Sequence, residues 1–197
     1  MVEPRNLENA GNAIICREND SPQLREALSK LAEVSKQDGA LILAQLSHAG
    51  RQTPFTVNEY PYSSSDVQLN SSIIDGGKPV PLALDQLKTE VIDRFVFAAK
   101  VAYETGFDGI ELHAAHGYLL SQFMSPTANK RKDRYGGSLE NRFRLIAEIY
   151  RAIRKQIPPT TGFIVGIKTN SVEFQANGLT IEDAKEACLM IEVSSFS

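Results

Sequence analysis

Apolar positions along this chain fall into two recurring patterns. Short, almost continuous apolar runs alternate with longer stretches in which apolar residues return every three or four positions. The first run, Ala13-Ile14-Ile15-Cys16, reads as a strand end. Asp20-Ser21-Pro22 then supplies a capping position with proline at the first helical site, and Leu24, Leu28 and Leu31 follow at helical spacing, predicting a helix over 22–36. The run 40–46, ALILAQL, predicts a strand buried on both faces, as in parallel sheets. Residues 50–84 are rich in Pro, Ser, Gly and Asn without a clear period, and predict a long loop with a small hairpin around Asp75-Gly76-Gly77. Asp85 caps a predicted helix to residue 104, with Val91, Phe95, Ala98, Ala99 and Ala102 on one face and Gly106 closing it. A strand over 109–113 feeds a polar loop that ends in Gly136-Gly137. Ser138 caps a helix over 139–156 that Pro158-Pro159 stops; a strand over 163–170 and a helix over 180–192 complete the series.

Repeated strand–helix units imply a parallel sheet with right-handed crossovers. Both a doubly wound sheet and a (β/α)8 barrel fit that order. No G-x-G-x-x-G follows any strand, which weighs against a dinucleotide-binding unit. Polar side chains instead gather where strands end: Gln45 and His48, His113 and His116, Lys168 and Asn170. That distribution is the barrel pattern, in which function sits at the C-terminal ends of the strands.

Composition narrows the functional classes. With 21 Lys and Arg against 24 Asp and Glu, the formal net charge is −3, which argues against a general nucleic-acid binder. No uncharged apolar run approaches the roughly 18 residues that span a membrane. The first fifteen residues lack a basic region followed by an apolar one, so they do not read as a signal peptide, and a cytoplasmic protein is expected. Cys16 and Cys188 lie far apart and read as reduced, buried thiols.

The densest chemistry lies between 108 and 142. His113 and His116 are three apart and Tyr118 follows. Paired imidazole N–H donors can hold and polarise an electron-poor oxygen, and a nearby phenol can deliver a proton. A metal reading competes, but two ligands in a loop leave zinc short of its third or fourth, and no metal is expected. Two histidines satisfied by loop hydrogen bonds are the plainer alternative. Gln45, at the end of a buried strand, can both donate and accept, which suits the edge of a heterocycle or simply a backbone group. Lys168 ends Ile164-Val165-Gly166-Ile167 and can stabilise developing negative charge, or snorkel to solvent. Glu111 shares a strand face with His113 and is expected to pair with Lys168. The mixed run 130–134, KRKDR, reads as solvated surface with some power to attract a phosphate.

The stretches ALILAQLSHAGRQ (40–52), DGIELHAAHGYLLSQFMSPTANKRKDRYGGSLENRFR (108–144) and VGIKTNS (165–171) resemble the old yellow enzyme family, the FMN-dependent NAD(P)H:flavin oxidoreductases and ene-reductases. The resemblance runs from about residue 5 to 191 and implies a (β/α)8 barrel with FMN across its C-terminal mouth. By resemblance, Gln45 and Lys168 contact the flavin, the latter where many members carry arginine. His113 and His116 bind the substrate's activating group. Tyr118 protonates the substrate Cα, while His48 and Arg51 belong to a loop lining the mouth. NAD(P)H is the implied reductant and an activated alkene the implied substrate. A full barrel takes roughly 250 residues. The chain is therefore expected to be a single partial barrel over 1–197, roughly strands 2 to 5 with their helices. Residues 50–84 would lie over the mouth and 192–197 would form a truncated tail. Open sheet edges would favour self-association. The alternative expectation is a non-catalytic remnant that binds FMN weakly or only after pairing.

Overall fold

The computed structural model describes residues 1–71 and 74–196. In chain order the elements are α1 (Pro22–Ser35), β1 (Leu43–Leu46), the two-residue strands β2 (Tyr62–Ser63) and β3 (Val80–Pro81), α2 (Leu84–Gln86), a π-helical stretch (Leu87–Ile92), α3 (Asp93–Glu104), β4 (Gly109–Ala114), α4 (Leu119–Met124), α5 (Leu139–Gln156), β5 (Ile164–Thr169) and α6 (Ile181–Phe196). Short 3-10 turns occur at Arg17–Asn19, Gly50–Gln52 and Pro159–Thr161.

The caps read from sequence explain two of these helices. Ser21 Oγ accepts from the Leu24 N–H at 3.2 Å, and Ser138 Oγ accepts from the Asn141 N–H at 3.3 Å. Each satisfies one of the N–H groups that a helix start leaves unpaired. The helix expected to be capped by Asp85 starts two residues earlier. Ala83 is its cap, and the Gln86 side chain accepts from the Ala83 N–H at 2.9 Å. No strand forms over Ala13–Cys16. Asn19 captures that segment instead, donating to the Ile14 carbonyl at 2.8 Å and accepting from the Cys16 N–H at 3.0 Å.

The main sheet has the order β1-β4-β5 and is parallel throughout. Side chains alternate across it. Ile110 and Leu112 point to the outer face, into a core built with Phe95, Ala98 and Ala99 of α3 and Phe143, Ile146 and Ile149 of α5. Helices α3 and α5 pack on each other as well as on the sheet side of this core. Leu43, Gln45, Gly109, Glu111, His113, Ile164, Gly166 and Lys168 occupy the opposite, inner face. Both crossover helices on one face, with polar side chains on the other, make this an arc of a (β/α) barrel rather than a doubly wound sheet, whose helices cover both faces.

Two expectations about burial need correction. The strand over 40–46 is expected to be buried on both faces, and that over 163–170 to be buried. Leu43 and Ile164 are each 39% exposed, because both lie on the inner face, which no helix covers among the described residues, whereas Leu46 on the outer face of β1 is 2% exposed. Cys16 is buried, but Cys188 on α6 is exposed. Helix α6 continues to Phe196, beyond the expected end at 192, and Ser197 lies outside the described residues.

The 50–84 segment is tied down by hydrogen bonds. β2 pairs with β3 in parallel, and in place of the expected hairpin an antiparallel bridge joins Pro54 to Gly76. Arg131 in the basic run anchors the segment, donating to the Leu82 carbonyl at 2.7 Å and the Ser64 carbonyl at 3.2 Å while paired with Asp133 at 2.6 Å. Its side chain is 8% exposed, so it is a structural cation, whereas Lys130, Lys132 and Arg134 of the same run are exposed as expected. Among the described residues no helix is long and apolar enough to cross a membrane.

Candidate active site

Parallel register brings the strand ends together. Gln45 stands opposite Glu111, which stands opposite Gly166; one step up, His113 stands opposite Lys168. This register decides the fate of Glu111. Its strand neighbours on the inner face are a glutamine and a glycine, and Lys168 lies two residues further along. The Gln45 amide donates to the Glu111 carboxylate at 2.5 Å, and among the described residues no Glu111–Lys168 ion pair forms. With its N–H₂ occupied, Gln45 keeps its carbonyl oxygen available as an acceptor.

A cleft of about 370 Å³ opens above these strands, lined by Gln45, Ser47, His113, His116, Tyr118 and Lys168 together with Met1, Glu8, Asn12 and Ala13 of the N-terminal segment. Gln45, His113, His116, Tyr118 and Lys168 therefore share one cleft. Glu8 and Ser47 carry no sequence signal. Glu8 lies in an irregular segment, and Ser47 is an ordinary residue one position past β1. Ser47 Oγ is buried and has no hydrogen-bond partner among the described residues, which is costly for a hydroxyl unless something else in the cleft meets it.

His113 is 4% exposed. Its Nδ1 accepts from the Ala115 N–H at 3.3 Å, which fixes the tautomer with the proton on Nε2. Burial, then the His116 and Lys168 charges, push its pKa below the ordinary value, so the ring stays neutral near pH 7. A neutral ring with one committed nitrogen offers a single N–H donor. His116 meets it edge-on with ring centroids 5.1 Å apart, and Tyr118 meets it edge-on at 4.8 Å. Burial and the nearby Glu8 carboxylate raise the Tyr118 phenol well above its ordinary pKa, so it keeps its proton.

His48 does not line the cleft, contrary to the reading of its loop. It is 1% exposed, its Nδ1 accepts from the Gly50 N–H at 3.1 Å, and burial pushes its pKa down to about 3. Arg51 lines a separate cavity of about 270 Å³ on the far side of His116. A helix absent from the sequence reading, α4, begins directly after Tyr118. All six of its residues are buried, so it shows no amphipathic period.

The loop between β4 and α4 needs unusual backbone. His116 has φ +58° and Gly117 φ +76°. The left-handed conformation favours glycine at 117, and a Cβ there, 2.3 Å from Gln52 Nε2, would displace the Gln52 amide.

Comparison with known proteins places this arrangement. The family model described as NADH:flavin oxidoreductase / NADH oxidase matches residues 8–195. The NADH-dependent flavin oxidoreductase nadA of Aspergillus parasiticus is 44% identical over 198 residues, covering all of this chain and 44% of that protein. Among solved structures, 2-naphthoyl-CoA reductase superposes with a TM-score of 0.86 at 25% identity, covering 98% of this chain and 30% of the other. An old yellow enzyme homologue from Zymomonas mobilis superposes with a TM-score of 0.72 at 29% identity, covering 84% of this chain and 47% of the other. The chain thus spans less than half the length of these proteins. Sequence match, barrel-arc topology and shared backbone agree: the chain belongs to the NADH:flavin oxidoreductase / NADH oxidase family.

Proposed function

We propose that the cleft holds FMN and that the chain carries the catalytic groups of an NADH- or NADPH-dependent ene-reductase acting on small activated alkenes. The observation that carries this reading is the convergence of Gln45, His113, His116, Tyr118 and Lys168 on one cleft from three adjacent strand ends. The residues fit a flavin. The unpaired Ser47 hydroxyl, the free Gln45 carbonyl and the Lys168 cation offer a donor, an acceptor and a positive charge to a polar heterocycle. Lys168 keeps the charge that an arginine would bring but not its planar fork. FMN, when bound, supplies the hydride that NADH delivers and the alkene receives.

The chain's own residues set up the other half of the reaction. The His113 N–H, joined by His116, hydrogen-bonds the substrate's activating oxygen and draws charge from the double bond. Tyr118 holds its proton until a strongly basic carbon develops, then donates it there. Lys168 lowers the cost of negative charge gathered on this face.

The open edges of β1 and β5, with Leu43 and Ile164 exposed, favour a second reading in which the site is complete only after self-association. The test is anaerobic NADH oxidation by the FMN-treated chain with cyclohexenone, run on size-separated fractions. Saturable, enone-dependent oxidation is expected. Activity confined to a dimeric fraction selects the self-association reading, and no enone-dependent oxidation in any fraction, with NADH consumed only once oxygen is admitted, contradicts ene-reduction.

A further inference from the structure

The two histidines of the cleft are held in different ways. His113 belongs to β4 and is fixed by the strand ladder. His116 is exposed, lies outside any regular element and adopts left-handed backbone at φ +58°, which a residue with a side chain rarely takes without support. The support comes from two side-chain amides on two other loops. Asn170, just past β5, accepts the His116 N–H on Oδ1 at 3.1 Å, and its Nδ2 donates to Ser121 Oγ at 3.2 Å, which fixes the orientation of the amide. Gln52, in the turn after β1, donates from Nε2 to the His116 carbonyl at 2.6 Å. One peptide-bonded residue is thus gripped at its N–H from the β5 side and at its C=O from the β1 side. Gly117 permits the second grip, since a Cβ there would strike the Gln52 amide.

We infer that Asn170 and Gln52 are positioning residues that together clamp the His116 backbone and so aim its imidazole at His113 across the cleft. The inference rests on the proposed role of the histidine pair as the substrate anchor. Its geometry, however, can be tested without substrate or cofactor. A left-handed residue relieved of both partners relaxes toward right-handed or extended backbone. That change swings the side chain away, while β4, β5 and the core stay as they are.

The chain has three histidines, so their imidazole resonances are resolvable by NMR. In the Gln52→Ala/Asn170→Ala double variant, the NOE between the His113 and His116 rings is expected to disappear and the His116 shifts to move to exposed-imidazole values. The shifts of the buried His48 should stay put, showing that the fold persists. Asn170→Asp, which keeps an oxygen for the His116 N–H, should retain the NOE. A double variant that keeps the NOE and the His116 shifts overturns the clamp. In the FMN-treated chain the double variant should lower kcat/KM for cyclohexenone at least tenfold while flavin reduction by NADH is spared. If the parent chain turns over no enone, the ene-reductase reading fails on its own, and the NOE still decides the clamp.

Discussion

Tyr118→Phe is expected to slow reduction of an activated alkene by roughly 10²–10⁴-fold, the usual contribution of a positioned general acid. Reduction of the flavin by NADH should be spared. The substitution keeps the ring that packs edge-on against His113 at 4.8 Å, so the shape of the cleft survives and only the proton is removed. Burial and the Glu8 carboxylate both favour the protonated phenol, which makes Tyr118 a reservoir that gives up its proton only to a strong base such as a developing carbanion. Stopped-flow measurement of the two half-reactions separates the outcomes. Equal losses in both would remove Tyr118 from proton transfer and make it a packing residue.

Phe123→Ala is expected to destabilise the chain by about 3–5 kcal/mol, the usual cost of emptying a buried phenylalanine site. Phe123 is fully buried on α4, meets Tyr135 edge-on at 6.5 Å and lies beneath the Arg131 guanidinium at 5.8 Å. Its carbonyl accepts from Asn129 Nδ2 at 2.7 Å, and the same nitrogen donates to the Tyr135 carbonyl at 2.7 Å. The ring therefore joins α4 to the loop before α5. Since α4 follows Tyr118 directly, the variant should also loosen the loop between β4 and α4. Urea denaturation measures the loss; a change under 1 kcal/mol would mean that α4 is not a keystone of this core.

The parts of the fold legible in sequence were those with local physical causes. Ser21 with Pro22 and Ser138 marked helix starts because capping is a matter of a few adjacent atoms. The apolar runs at β1, β4 and β5 marked strands, and the polar residues just past them marked the site. Features set by distant partners were not legible. Helix α4 is buried on every side and six residues long, so neither period nor length betrayed it. Glu111 was assigned the wrong partner because face alternation locates a residue on a strand without fixing the register between strands. The apolar run over Ala13–Cys16 forms no strand because its backbone groups pair with Met1 and with the Asn19 side chain. The residues with chemical promise, His113, His116, Tyr118, Gln45 and Lys168, do converge on one cleft. Asn170 and Gln52 were visible only as polar residues in the right neighbourhood, since their task depends on the backbone conformation of a third loop.

The most direct test of the flavin cleft is the visible absorption spectrum of the purified chain after incubation with FMN and desalting. A retained flavin band that bleaches on adding NADH under nitrogen is the result expected of a cleft furnished by Gln45, Ser47 and Lys168. A colourless protein that remains folded would contradict the assignment of this cleft as an FMN site in this chain.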